Sequence, residues 1–324
     1  MITPAVWTLG TYADVHAALR DDRLAPYGVP TRGDDTHTVV REAVAQELPA
    51  ALLNGWRVAL GGRADALLQA LPTDTAVDLV ADFAEPWARE AAQLVLGLPA
   101  AVADACMPLA RTLFEESAMA RSGAPSAALS AAASRLATEL HAFGGAGTVQ
   151  SFVALTHTVP ALVASAFVAL LQHPAQLAWL RAHRDERALA TATNELLRFA
   201  GPSRAVFRTA LAPVAFGDAV IAADDEVVLL LAQANRDPSR FPDPDGLDLQ
   251  RSASGHLAFG AGTHGCVGAS IVRLLLHEAM AAFVRAPRTF ALIDPDGGDV
   301  TWLDGFALRA PRSVPTMARD RTAA

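Results

Sequence analysis

The segment Phe259-Gly-Ala-Gly-Thr-His-Gly-Cys-Val-Gly268 combines one thiol with glycines that let the backbone turn sharply and approach a flat partner. Cys266 stands just ahead of a helical pattern, where backbone N–H groups and the helix dipole favour a thiolate. His264 and Arg273 add donors nearby. A thiolate held in this way suits metal ligation or nucleophilic attack. A lone cysteine between glycines would read as a small buried residue in a turn, so it is the length of F-G-x-G-x-H-x-C-x-G that argues for chemistry.

Other groups at chemically useful spacings lie upstream. Glu195-Leu-Leu-Arg198 puts an acid and a guanidinium at i and i+3 on one helix face, where they can form a charged network. Such pairs are common and carry no function alone. His37 and Arg41, in HTVVR, stand one helical turn apart. The uncharged run Ser151 to Leu171 contains Thr156, His157 and Thr158. Pro160 removes one helical N–H there, which frees the Thr156 carbonyl and allows a kink.

The elements that must position these groups follow from periodicity. Val6 to Leu24 reads as a short strand and then a helix. Asp35 or Thr36 caps a helix to about Glu47. Val58 to Leu71 and Ala81 to Gly97 alternate at helical spacing, separated by PTDTAVDL. Ala100 to Thr138 is helical with a break near Ser122 to Pro125, and Phe143 to Gly147 is a joint. Helices run through Ser151 to Leu171, from Pro174, and into NELLRF at Phe199. Short strands are expected over Ala205 to Ala210 and Val214 to Leu231, then an irregular Pro/Asp-rich meander. A helix spans Ala269 to Arg285, and strands follow over Thr289 to Leu308. With no internal repeat and no clear linker, residues 1–324 read as one mainly α domain with a small β part.

Taken together, these motifs resemble the cytochrome P450 family, in the family's order and at family-like spacings. The glycine loop is similar to the heme-ligand loop. The resemblance implies heme b with the Cys266 thiolate as axial iron ligand, and Phe259, Gly260 and Gly268 around the cofactor. It implies that His37, Arg41, Arg208 (in FRTA) and His264 reach the heme propionates, because cationic and N–H donors suit two buried carboxylates. Glu195 and Arg198 match the family's E-x-x-R, with Arg251 of the meander as third member of that network.

The chain also departs from the family. The B–C region between Leu24 and His37 is short, and Cys106 to Gly147, which should hold helices F, G and H, is reduced. A differently covered distal face, or a smaller lid on a smaller pocket, follows. On the oxygen-activating helix, counting back from His173-Pro174 sets Ala154 to Thr158 on the A/G-G-x-D/E-T motif. Thr158 keeps the alcohol, His157 replaces the carboxylate, and Leu155 replaces the glycine and would crowd the oxygen groove. His157 reads as a proton relay, a substrate contact, or a satisfied core histidine. Gly144 to Thr148 offers a second register, at a poorer distance from His173-Pro174. Gly265 replaces a bulkier residue, which bears on redox tuning. Cys106 reads as inert core, and charges such as Arg181 to Arg187 as solvated faces.

Composition sets outer limits. The chain has 324 residues, 52% of them apolar, enough to bury a large core. Its net charge of −8 argues against a nucleic-acid binder. Its two cysteines exclude a disulfide scaffold. Ser151 to Leu171 has bilayer length, but its polar residues and missing aromatic belt favour a helix buried in protein, hence no membrane. The first residues lack a basic and apolar leader pattern, which predicts a cytoplasmic setting.

Three functions remain. The first is a monooxygenase that oxidises a small or carrier-protein-bound natural-product intermediate, fed by a ferredoxin-type electron donor, with Thr158 and His157 delivering protons. The second is a heme-thiolate peroxygenase or redox-neutral isomerase or dehydratase. The third is a non-catalytic partner protein.

Overall fold

A computed structural model describes residues 4–26, 41–46, 48–122, 124–144, 147–217 and 219–321. His37, and most of the short B–C segment, lie outside the described residues. The helices are α1 (Tyr12–Arg20), α2 (residues 41–46), α3 (Leu53–Ala70), α4 (Glu85–Leu96), α5 (Ala100–Met119), α6 (Ala127–Leu140), α7 (Thr148–Val153), α8 (Val159–Gln172), α9 (Pro174–Ala182), α10 (Glu186–Ala200), α11 (Leu231–Ala234) and α12 (Ala269–Arg285). Their starts follow local chemistry. Thr11, Ser126 and Asp185 accept from N–H groups three residues on, satisfying donors that a helix end leaves open, at about 1 kcal/mol each. α9 begins on Pro174, whose missing N–H costs nothing at that position.

α8 is the centre of the molecule: every residue from Val159 to Leu170 is buried. It packs against α4, α10 and α12, and Phe167 stacks between Phe83 and Phe283 at 5.6 and 4.1 Å. Thr148–Gln172 is long and apolar enough to cross a membrane, but protein covers 83% of its most apolar stretch. A helix walled in on all sides must be apolar all round, which explains the run without invoking lipid.

Eleven strands, β1 (Val6–Leu9), β2 (Leu24–Ala25), β3 (Thr75–Asp78), β4 (Val206–Ala210), β5 (Val214–Phe216), β6 (Ala219–Ile221), β7 (Glu226–Leu229), β8 (Arg288–Leu292), β9 (Thr301–Asp304), β10 (Arg309–Ser313) and β11 (Pro315–Asp320), form small sheets among the described residues. The largest has the order β1-β7-β4-β2, with β1 parallel to β7 and β4 antiparallel to it. A second has the order β3-β11-β8.

β3 corrects the reading of PTDTAVDL as a mere separator. Its partner is the C-terminal strand β11, with Val77 opposite Thr316, so nothing local announces it. The C-terminal strands also run on past Leu308 to Asp320. The fold is otherwise the expected one, mainly α with a small β part and short B–C and F–G–H regions; α5 and α6 span what remains between Cys106 and Gly147.

Candidate active site

The cysteine loop closes on itself. The Cys266 N–H donates to the Phe259 carbonyl at 2.8 Å, and the Gly265 N–H to Gly262 at 3.0 Å. Gly262, at φ +69°, sits where a Cβ would lie 2.7 Å from the Leu19 carbonyl, so only glycine lets the loop seat on the end of α1. Gly260 also has positive φ, at +67°. Gly268 has no such requirement: its φ is −80°, and a Cβ there would touch the Cys266 sulfur at an ordinary 3.9 Å.

The Cys266 sulfur opens onto a cavity, yet protein packs around it closely enough for burial to push its thiol pKa up. The Gly268 N–H, Arg41 and Arg273 pull the other way. Arg273 lies 4.7 Å over the Phe259 ring, fixing a cation beside the loop.

That cavity, about 270 Å³, is walled by Cys266, Phe259, Gly260 and His264 on one side and by Ala154, Thr158 and Leu162 on the other. The distal wall is shaped by a π-helical turn, Ala154–Thr158, between α7 and α8. The Val159 N–H reaches back to the Ala154 carbonyl, five residues away, and Pro160 follows without an N–H to give. The expected irregularity at Pro160 is therefore a widened turn. It leaves Ala154 and Thr158 on the cavity. A larger chamber of about 820 Å³, lined by α5, α6 and α7, shares those two residues.

The same turn sends His157 elsewhere. It borders a separate crevice with Arg111, Phe114 and Pro160 and is not among the residues lining the Cys266 cavity. Its Nδ1 lies 2.9 Å from the Thr156 hydroxyl, which in turn donates to the Phe152 carbonyl, and its Nε2 has no hydrogen-bond partner among the described residues. Burial, with Arg111 adding, brings its pKa down to about 4. His157 is thus a neutral imidazole at neutral pH. Leu155 is a second correction: it is packed in the main core and does not crowd the cavity.

Arg208 reaches the cavity from β4. It is buried; among the described residues its Nε has no hydrogen-bond partner and Nη1 donates only to the neighbouring Phe207 carbonyl, at 2.8 Å. Desolvation brings its pKa down to about 10. A buried cation without a counter-charge is costly, and a carboxylate placed in the cavity would relieve that cost. The walls are otherwise largely apolar, with a thiol on one face. Cys266, the mostly apolar walls, Arg208 and His264 therefore fit a flat apolar ring system bearing acid groups and a metal. Arg41 differs from the expectation: its Nη1 donates to the Gly265 carbonyl at 2.9 Å, and it is not among the residues lining the cavity.

Glu195, Arg198 and Arg251 come together as a network. Arg198 grips Glu195 through two bonds of 2.7 Å, both side chains fully buried, and Arg251 Nε donates to the same carboxylate at 3.1 Å. Arg198 also donates to the Asn235 and Pro244 carbonyls at 2.9 and 2.8 Å. The Asn235 side chain accepts from the Leu257 N–H at 2.7 Å and so ties this network to the cysteine loop. Sequence reasoning missed Asn235, because in ANRDP it reads only as a turn residue. It missed His256 too, which is buried beside Phe259 with its pKa down to about 4, through burial and then Arg273 and Arg198. Arg181 also corrects a reading: it is partly buried and its pKa is lowered by burial, whereas residues 182–187 are exposed.

Comparisons agree with this geometry. The family model "Cytochrome P450" matches residues 186–302, which hold the charged network and the cysteine loop. Cytochrome P450 monooxygenase PikC of Streptomyces venezuelae is 40% identical over 168 residues, covering 52% of this chain and 40% of that protein. Cytochrome P450 107B1 of Saccharopolyspora erythraea is 28% identical over 95% of this chain and 88% of its own length. The crystal structure of P450BioI with a fatty-acid-ligated acyl carrier protein superposes with a TM-score of 0.81 over 96% of this chain and 91% of that one; at 23% identity it shows the fold alone. The family model, these relatives and the fold together support membership of the cytochrome P450 family, of bacterial type. The family uses heme b with a cysteine thiolate as axial ligand, and here the cysteine that lines the cavity is Cys266.

Proposed function

We propose that this chain is a heme-thiolate monooxygenase that oxidises a small or carrier-bound natural-product intermediate, with electrons from a ferredoxin-type partner. The observation that carries the reading is that Thr158, Cys266 and the buried Arg208 line one cavity. The names of PikC and of 6-deoxyerythronolide B hydroxylase, 40% identical over 147 residues, support oxidation of a natural product. Carrier-bound substrate rests on the fold likeness to P450BioI alone.

Cys266 would hold the iron, Arg208 and His264 the acid groups, and Phe259 and Gly260 the proximal face. Heme, when bound, supplies the redox chemistry that reduces dioxygen and oxidises the substrate. The chain's own part is positional. Thr158 presents a hydroxyl that can pass a proton into the cavity. The mostly apolar chamber lined by α5, α6 and α7 favours a substrate with an apolar body.

The placement of His157 favours a second reading, peroxygenase or redox-neutral chemistry, because the acid position carries a neutral ring aimed away from the cavity. Turnover assays separate the two. Product that requires NAD(P)H, reductase and ferredoxin supports the monooxygenase. Product from peroxide alone, or with neither, overturns it.

A further inference from the structure

A crevice of about 540 Å³ lies on the far side of the Gly201–Ser203 turn from the Cys266 cavity. Its floor is the apolar side of α8, at Val168 and Ala169, and its walls are the end of α10, α11 and the β9–β10 hairpin. Four guanidinium groups line it, from Arg198, Arg204, Arg236 and Arg309, against one acidic residue, Asp296. In a chain of net charge −8, these four gather here, while their acid partners Glu195, Asp245 and Asp304 are not among the lining residues.

The four are not equally available. Arg198 is saturated by Glu195 and backbone carbonyls. Arg236 is held by Asp245 at 2.9 Å and the Phe199 carbonyl at 3.1 Å, with its guanidinium 4.0 Å from the centre of the Phe199 ring. Arg204 and Arg309 share one carboxylate, Asp304, at 2.8 and 3.5 Å. Arg204 Nη1 also donates to the Gly305 carbonyl at 3.1 Å, while the Arg309 guanidinium sits over Trp302, 3.8 Å from the ring centre. Partial burial and the nearby Arg204 both disfavour its charge. Two cations meet on one exposed acid, so the pair keeps a net positive charge, and Arg309 holds Asp304 only loosely, which leaves guanidinium donors for an oxyanion.

We propose that this crevice is a second ligand site, which takes a small organic anion, a carboxylate or phosphate ester, through Arg204 and Arg309, with its apolar body on Val168 and Ala169. The backbone beside it is shared with the cofactor side. The Arg204 and Ala205 N–H groups donate to the Ala307 carbonyl, and the Arg309 N–H to the Pro202 carbonyl, at 2.8, 3.2 and 2.9 Å. Gly201 and Ser203 line both cavities. An anion that draws the two arginines together therefore bears directly on the wall of the Cys266 cavity.

Isothermal titration of the purified heme-loaded chain at low ionic strength, with phenyl phosphate and separately with benzoate, tests this. The expected result is one saturable site per chain for at least one probe, and which probe binds tells phosphate from carboxylate. Affinity falls about tenfold or more in Arg204→Gln and in Arg309→Gln, falls less in Arg309→Lys, which keeps the charge without the guanidinium fork, and is unchanged in the remote Arg285→Gln. Absence of saturable binding by either probe overturns the proposal. So does equal affinity in wild type, Arg204→Gln and Arg309→Gln, since the anion then sits elsewhere, for example on Arg208. Neither outcome depends on whether the chain turns over a substrate.

Discussion

His157 and Thr158 are adjacent in the chain yet leave the same π-helical turn toward different cavities: Thr158 toward that of Cys266, His157 toward a crevice with Arg111. The alcohol and the residue at the acid position therefore act on different surroundings. Thr158→Ala is expected to lower coupled product formation about tenfold or more while the reduced carbon monoxide spectrum stays unchanged. His157→Ala is also expected to leave that spectrum unchanged, because the ring does not face the iron site. A carbon monoxide band that appears only in His157→Ala would contradict this placement.

Arg208 gives opposite signs in two states. Without cofactor it is a buried cation with no acid partner among the described residues, so Arg208→Met is expected to stabilise the heme-free chain by about 1–3 kcal/mol. In the loaded protein the same change removes a partner of the acid groups and weakens heme retention. Thermal melts of the heme-free chain and heme titrations read the two effects. Destabilisation of the heme-free chain by Arg208→Met would show that the guanidinium already has its counter-charge.

Breaking the buried pair is a different matter. Glu195→Gln leaves Arg198 and Arg251 without their carboxylate, at a cost of about 3–5 kcal/mol. It should also loosen the Asn235 link to the cysteine loop. Urea melts and heme content of the purified variant check this; wild-type values for both would remove the network from the account.

The loop glycines separate by backbone need. Gly262→Ala meets both a positive φ and the Leu19 carbonyl at 2.7 Å and is expected to cost about 2 kcal/mol or more. Gly268→Ala meets only ordinary contacts and should cost less than about 1 kcal/mol. Equal melting temperatures for the two variants would contradict the loop geometry.

Acid should destabilise the chain earlier than its carboxylates alone would predict. His157 and His256 are held neutral, with folded pKa values of about 4, while the unfolded chain protonates them near the ordinary imidazole value. The unfolded state then binds more protons, so stability present above about pH 6.5 is lost as pH falls toward 4, by up to roughly 3 kcal/mol per histidine. The decline should be shallower in His157→Gln. An unchanged slope would mean that the ring is not desolvated.

Much of this was legible in the sequence, for identifiable reasons. The cysteine loop announces itself because its glycines and thiol are consecutive, and the E-x-x-R pair because i, i+3 spacing is local. Thr158 was found by counting from His173-Pro174 along a regular helix. What stayed hidden depends on long-range partners or on helix phase. β3 pairs with a strand from the far end of the chain, Thr316 standing opposite Val77 and Met317 opposite Ala76. The π turn shifts the phase that decided where Leu155 and His157 point. Asn235 matters only because the fold brings it to Leu257.

The most direct test of the central claim is the absorption spectrum of the purified protein, reduced under carbon monoxide, for wild type and Cys266→Ser. The account predicts a red-shifted thiolate–carbon monoxide band in wild type and its loss in Cys266→Ser. A wild-type protein without bound heme, or a band that survives in Cys266→Ser, would contradict it.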